Sequence, residues 1–236
     1  MTAPVNGWTL FWPGPCMSNH EGGRRLAGDP VTVGSQVTLV GGRIEPCVWG
    51  LHGSERLLDA LGYSPCDTPV IGYCEFGGEI ERETDKIAAR SRTLLWALGE
   101  VTTETVLRTH SRWSALMVLH LWDAPGVMVR YLVTGDEELR SAARAAAWDA
   151  AMAAASAAAW AAAWAAARAA AGDAAWAAAR DVALAAARAA ARAAAWDAGN
   201  TELERLAWAA HAGEPVTLAI PETAREIVAR VIGGAA

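Results

Sequence analysis

Up to about residue 100 the chain sets its apolar residues in short runs bounded by glycine, proline and other turn formers. Trp8 to Trp12, Val31 to Val40, Val70 to Phe76 and Lys86 to Leu98 read as strands on this pattern. Between them Ser54 to Leu61 (SERLLDAL) has helical spacing of Leu57, Leu58 and Leu61 behind a serine that predicts an N-cap. From Thr102 the period lengthens. Val106, His110, Trp113, Met117 and Leu121 recur at three and four residues, which predicts a core-facing helix ending before Pro125. A short helix over Gly126 to Val133 follows, and Thr134-Gly-Asp-Glu137 has capping-box spacing for the start of a long one.

That long helix carries an explicit repeat. From Arg140 through Trp196 every fourth residue is something other than alanine, and Asp149, Asp173, Asp181 and Asp197 occupy the next register. Alanine has the highest intrinsic helix propensity, so residues 140 to 199 are expected to be helical throughout or broken once. A period of four advances ~40° per repeat on a helix of 3.6 residues per turn, so the bulky residues sweep round the cylinder. Gly172-Asp173 is the one place where a stop and a new cap coincide, and a break there into an antiparallel hairpin is the expectation. After Gly199-Asn200, Thr201 to Ala212 reads as a separate helix with a capping box at Thr201 and Glu204. Gly213 to Ile220 reads as a connector, and Pro221 opens a last helix with an Ala224, Ile227, Val228, Val231, Ile232 stripe. The pattern as a whole predicts an α+β fold: a small mixed head domain over 1–100 and an all-helical region over 101–236.

Composition changes this picture in two respects. Alanine buries little area, so the core must draw on the twelve tryptophans and on Leu, Ile and Val outside the repeat. A net charge of −6 disfavours a general electrostatic grip on nucleic acid. Asp in the neighbouring register also opposes reading the Arg and Trp ladder as a phosphate-binding surface. Ala150 to Ala167 lacks charge but also lacks Leu and Ile, so no membrane span is expected. The N-terminal stretch lacks the order of a signal peptide, and Cys16, Cys47, Cys66 and Cys74 form no C-x-x-C pair. Free thiols in a cytoplasmic setting are the expectation.

The densest candidate chemistry is Cys47-Val-Trp-Gly-Leu-His52 with Asp85-Lys86: a nucleophile, a base and a carboxylate to orient the ring, if the fold gathers Cys47, His52 and Asp85. The spacing of Cys47, His52, Cys66 and Cys74 matches no compact zinc knuckle, so neither metal nor cofactor is expected. His110 and His120 read as structural, and the pairs Gly22-Gly23, Gly41-Gly42 and Gly77-Gly78 as hairpin turns.

The Cys47 to His52 turn, the Leu-Asp-Ala-Leu-x-Tyr run from Leu58 to Tyr63, the Asp85-Lys86 pair and His120-Leu-Trp-Asp123 resemble an uncharacterised domain of bacterial and phage proteins, over residues 30 to 135. The resemblance implies a domain that often precedes repetitive tails and adds nothing to the chemistry. On sequence alone the leading expectation is a non-enzymatic interaction or scaffold protein. It would self-associate or dock a protein partner through Trp148, Trp160, Trp164, Arg168, Trp176, Arg180 and Trp196. One alternative is a small enzyme acting on a nucleotide or protein side chain through Cys47, His52 and Asp85, and a third is peripheral membrane or nucleic-acid binding by the Arg and Trp ladder.

Overall fold

A computed structural model of the chain describes residues 3–14, 29–121, 123–149 and 174–234, with side chains in the last stretch described from residue 192. The fold is α+β. Its five strands, all antiparallel, are β1 (Val5–Phe11), β2 (Gln36–Thr38), β3 (Leu51–Gly53), β4 (Val70–Arg82) and β5 (Ile87–Ala97). They run in the order β1-β4-β5-β2, with β3 paired beside β2 on the same flank of β5. The helices are α1 (Leu57–Leu61), α2 (Glu100–Met117), α3 (Gly126–Thr134), α4 over 137–149, α5 (Ala174–His211) and α6 (Glu222–Gly233).

The chain divides into two compact units. The first takes in Met1–His110 and Ala198–Thr217, and the second Ser111–Asp197 and Leu218–Ala236. In the first unit, period-two alternation sends Trp8 and Leu10 into one apolar cluster and Phe11 into another. The first cluster is closed by Leu57 and Ala60 of α1, Val106 of α2 and Leu203, Leu206 and Ala207 of α5. Tryptophan supplies much of it, as composition requires: Trp8, Tyr73, Trp96 and Trp208 meet mostly edge-on, and Trp96 stacks on His211 at 4.1 Å. In the second unit Leu116, Leu119, Val129, Leu132, Ala224 and Val228 form a separate core.

Several local expectations are corrected. Gly77-Gly78 does not turn the chain; it makes a bulge inside β4, so that strand runs on to Arg82. Gly78 has φ 77, and a Cβ there would sit 2.8 Å from Arg90 Cβ. The hairpin turns instead at Glu83–Lys86, where the Glu83 N–H donates to the Lys86 carbonyl at 2.9 Å. The strand expected over Val31 to Val40 shortens to Gln36–Thr38. Leu121 is exposed: α2 ends at Met117, and Leu121 lies in the separate 3-10 turn Leu119–Leu121 that follows. The cap of α4 is Asp136, whose Oδ1 accepts the Glu138 N–H at 3.0 Å, while Thr134 Oγ1 bonds back to Arg130.

The largest correction concerns Gly199-Asn200, which does not stop a helix: α5 is continuous from 174 to 211. Both residues serve tertiary contacts. A Cβ on Gly199 would lie 3.1 Å from Leu58 Cδ2, and the Gly199 carbonyl bonds the buried His110 ring at 3.1 Å. Asn200 Oδ1 accepts the Leu58 N–H at 2.8 Å, and Glu204 Oε1 accepts the Leu57 N–H at 3.1 Å and the Arg56 Nε–H at 3.0 Å. Helix α1 is therefore capped by side chains from α5 and not by Ser54, which leaves that serine for other use.

Within the repeat, α4 is helical to the end of the described stretch, and Trp148 and Trp196 are 69% and 50% exposed. The expected break at Gly172-Asp173, the run Ala150 to Ala167, and Trp160, Trp164 and Arg168 lie outside the described residues, as do the side chains of Trp176 and Arg180. Among the described residues no helix is long and apolar enough to cross a membrane.

Candidate functional site

The site is built where β3, the β4–β5 turn and the loop before β3 converge. Glu45 and Trp49 bridge across a tight turn, and Cys47 sits at its tip with φ 62, the single non-glycine residue of left-handed conformation among the described residues. For an L-residue with a Cβ this conformation costs on the order of 1–2 kcal/mol. The turn is held by a bond from the Cys47 amide to His52 Nε2 at 3.2 Å. An accepting Nε2 places the proton of a neutral ring on Nδ1, so this contact fixes the Cys47 backbone and takes no proton from the sulfur.

The rest of the Cys47 to His52 motif has a steric account. A Cβ on Gly50 would lie 2.9 Å from Ala88 Cβ, and one on Gly53 would overlap Phe76 Cζ and stand 2.7 Å from the Trp8 carbonyl. Glycine at both positions lets β3 lie against β5 and β1. The His52 carbonyl between them accepts from Thr9 Oγ1 at 3.1 Å and from the guanidinium of Arg92, itself buried over the Phe11 ring, at 3.0 Å.

Lys86 reaches the cysteine from the hairpin turn. Its Nζ donates to Cys47 Sγ at 3.0 Å and to Glu83 Oε2 at 2.9 Å, and it lies 5.3 Å from the Tyr63 ring centroid. The bond to Cys47, then that to Glu83, hold Lys86 well above the ordinary lysine value, so it is an ammonium at any physiological pH. Asp85 takes a different partner from the one expected: its Oδ2 accepts the Tyr63 O–H at 2.6 Å, so the carboxylate orients the phenol and not the imidazole. That bond, followed by burial, pushes the Tyr63 hydroxyl up and keeps it neutral.

Cys47, His52 and Lys86 line one cavity of about 430 Å³, together with Thr9, Leu10, Gly53, Ser54, Ala60, Tyr63 and Ser64. The volume lies in the range of small-molecule sites. Ser54 is fully buried, and its Oγ is the one buried side-chain N or O without a hydrogen-bond partner among the described residues. A buried hydroxyl left so costs about 1–3 kcal/mol. The site expected from the sequence was Cys47, His52 and Asp85: Cys47 and His52 do line the cavity, Asp85 turns instead to Tyr63, Lys86 was given no role, and Ser54 was read as a helix cap. Among the described residues no group of three or more His, Cys, Asp or Glu side chains could hold a metal ion.

No family model, no curated protein and no solved structure matches the chain.

The strained turn gives a direct test of the Cys47 conformation. Cys47→Gly should raise the unfolding free energy by about 1 kcal/mol, because glycine takes φ near +60° without steric cost. Cys47→Ala, which keeps a Cβ, should bring no such gain. Urea denaturation of the two variants beside the wild type measures both, and equal midpoints would contradict the strain.

Proposed function

We propose that the first unit is a small thiol enzyme. Cys47 is the nucleophile toward an electrophilic carbon of a small substrate in the 430 Å³ cavity, Lys86 supplies positive charge at the sulfur, and His52 positions the Cys47 turn. The observation that carries this reading is the 3.0 Å contact between Cys47 Sγ and Lys86 Nζ at an open, lined cavity. Reactive cysteines sit in such partly exposed, electropositive surroundings, whereas structural ones are buried and inert. Strain at the same residue supports it, since sparsely populated conformations gather at functional sites. Cys74 is buried in the core and Cys66 is half-buried, so neither is placed to compete.

Peptide-resolved alkylation of the native chain by iodoacetamide at neutral pH tests this. Cys47 should react about 10-fold faster than an unstructured cysteine peptide, ahead of Cys66 and Cys74. A rate no greater than the peptide's would leave Cys47 an ordinary surface thiol.

A second reading applies to the other unit. The exposed Trp148 and Trp196 on the alanine-rich helices support docking of a protein partner or a second copy of the chain through that surface.

A further inference from the structure

We infer that Cys47 and Lys86 are the two ends of a reversible redox crosslink: a peroxide oxidises the Cys47 thiolate to a sulfenic acid, and Lys86 Nζ condenses with it to a sulfenamide. This rests on Cys47 as nucleophile and names a covalent modification of the same pair.

A protein sulfenic acid condenses with a thiol or with a nitrogen at hand, so what surrounds the sulfur decides its fate. Lys86 Nζ already touches Cys47 Sγ, at 3.0 Å. The backbone nitrogens of the turn are engaged elsewhere: the Cys47 N–H donates to His52 Nε2 at 3.2 Å, and the Val48 N–H to the Glu45 carbonyl at 3.1 Å. Cys74 is buried in the core and Cys66 is half-buried, whereas Cys47 is exposed and lines the cavity. Peroxide therefore meets Cys47 ahead of these two, in the thiolate form that it oxidises.

Both residues are anchored at the backbone and meet through their side chains. Cys47 stands at the tip of the turn that Glu45 and Trp49 bridge, and Lys86 closes the hairpin turn by accepting the Glu83 N–H at its carbonyl. The flexible four-carbon stem of lysine lets Nζ close the remaining gap without moving either turn. A contact held before reaction makes the condensation effectively unimolecular. Oxidation also prepares the amine. The bond to Cys47 is the foremost cause that keeps Lys86 charged, and converting the sulfur to a neutral sulfenic acid weakens that hold on the proton.

In the first step a thiolate electron pair forms the S–O bond as the O–O bond of the peroxide breaks, and hydroxide departs. Sulfur loses two electrons and the peroxide gains them. The Lys86 ammonium then gives a proton to the sulfenic oxygen, which leaves as water with the S–O electron pair, and the lone pair so released on nitrogen forms the S–N bond. Glu83, 2.9 Å from Nζ, takes the extra proton left on that nitrogen. A small thiol reverses the bond: its thiolate attacks the Cys47 sulfur, the S–N pair returns to nitrogen with a proton, and exchange of the mixed disulfide with a second thiol restores Cys47. The crosslink occupies nucleophile and ammonium together, so the site is off while it stands, and it keeps the sulfur from irreversible oxidation to sulfinic acid.

Hydrogen peroxide added to the folded wild-type chain at neutral pH, followed by peptide mapping without reductant, tests this. The expected product joins the Cys47 peptide to the peptide that carries Lys86, with the mass of the two less two hydrogens. Tryptic cleavage after Lys86 and iodoacetamide labelling of Cys47 should both be lost, and dithiothreitol should restore both. In Lys86→Met the oxidised Cys47 should instead be trapped by dimedone as the sulfenic acid. Wild-type Cys47 that stays open to dimedone, goes on to sulfinic acid, pairs with another cysteine or resists oxidation overturns the crosslink. Fast alkylation of the untreated chain beside any of these results still stands for the nucleophile, so the two readings fail separately.

Discussion

Gly53→Ala is expected to destabilise the first unit by about 3 kcal/mol and to lower its thermal midpoint by roughly 10 °C. The added methyl would overlap the fully buried Phe76 ring and stand 2.7 Å from the Trp8 carbonyl. Phe76 belongs to a closed cluster with Val70, Leu51 and Leu94 and has no space to turn into, and the carbonyl belongs to β1, which bonds to Ser54 on both its N–H and its C=O. Relief therefore requires β3 to move off β1, and that movement carries His52 and Ser54 with it. Gly99→Ala is the control, since a Cβ there meets nothing within 4 Å. That change should stay within about 1 kcal/mol, as expected near a helix N-terminus. Calorimetry of the two variants reads the difference, and an equal effect would remove the steric account of the motif.

The same residues show what was legible in the sequence. Runs bounded by turn formers located β1, β4 and β5, and three-and-four spacing located α2, α3 and α6, because both signals are local. What went astray was local chemistry spent on distant partners. Gly199, Asn200 and Glu204 carry the signature of a helix stop and restart. In the fold the glycine admits Leu58, and the two polar side chains cap α1. A residue that can cap its own helix can equally cap another, and only the tertiary arrangement decides. Ser54 failed for the complementary reason: with α1 capped from α5, its hydroxyl is buried without a hydrogen-bond partner. Gly77-Gly78 has the composition of a hairpin turn, but the pairing of β4 with β5 continues past it and the turn moves to Glu83–Lys86.

The candidate site was legible as a motif and not as a mechanism. Cys47, His52 and Asp85 suggest a relay through the imidazole. In the fold Cys47 lies against Lys86, His52 holds the Cys47 amide and Asp85 holds Tyr63. Spacing alone could not assign these partners, because the hairpin register that brings Lys86 to Cys47 depends on the bulge at Gly77 and Gly78.

The proposed action of Lys86 on the Cys47 sulfur is read from the alkylation rate of Cys47 in Lys86→Met against wild type. Methionine keeps most of the length and apolar stem of lysine and removes the charge and all three donors. Tyr63, Asp85 and the Cys47 amide to His52 bond have no need of the ammonium, so the turn should persist. A 10-fold fall, equivalent to about 1.4 kcal/mol, is predicted at neutral pH, bringing Cys47 to the rate of an unstructured cysteine peptide. A Lys86→Met chain that folds as wild type does and alkylates at Cys47 just as fast would contradict the account.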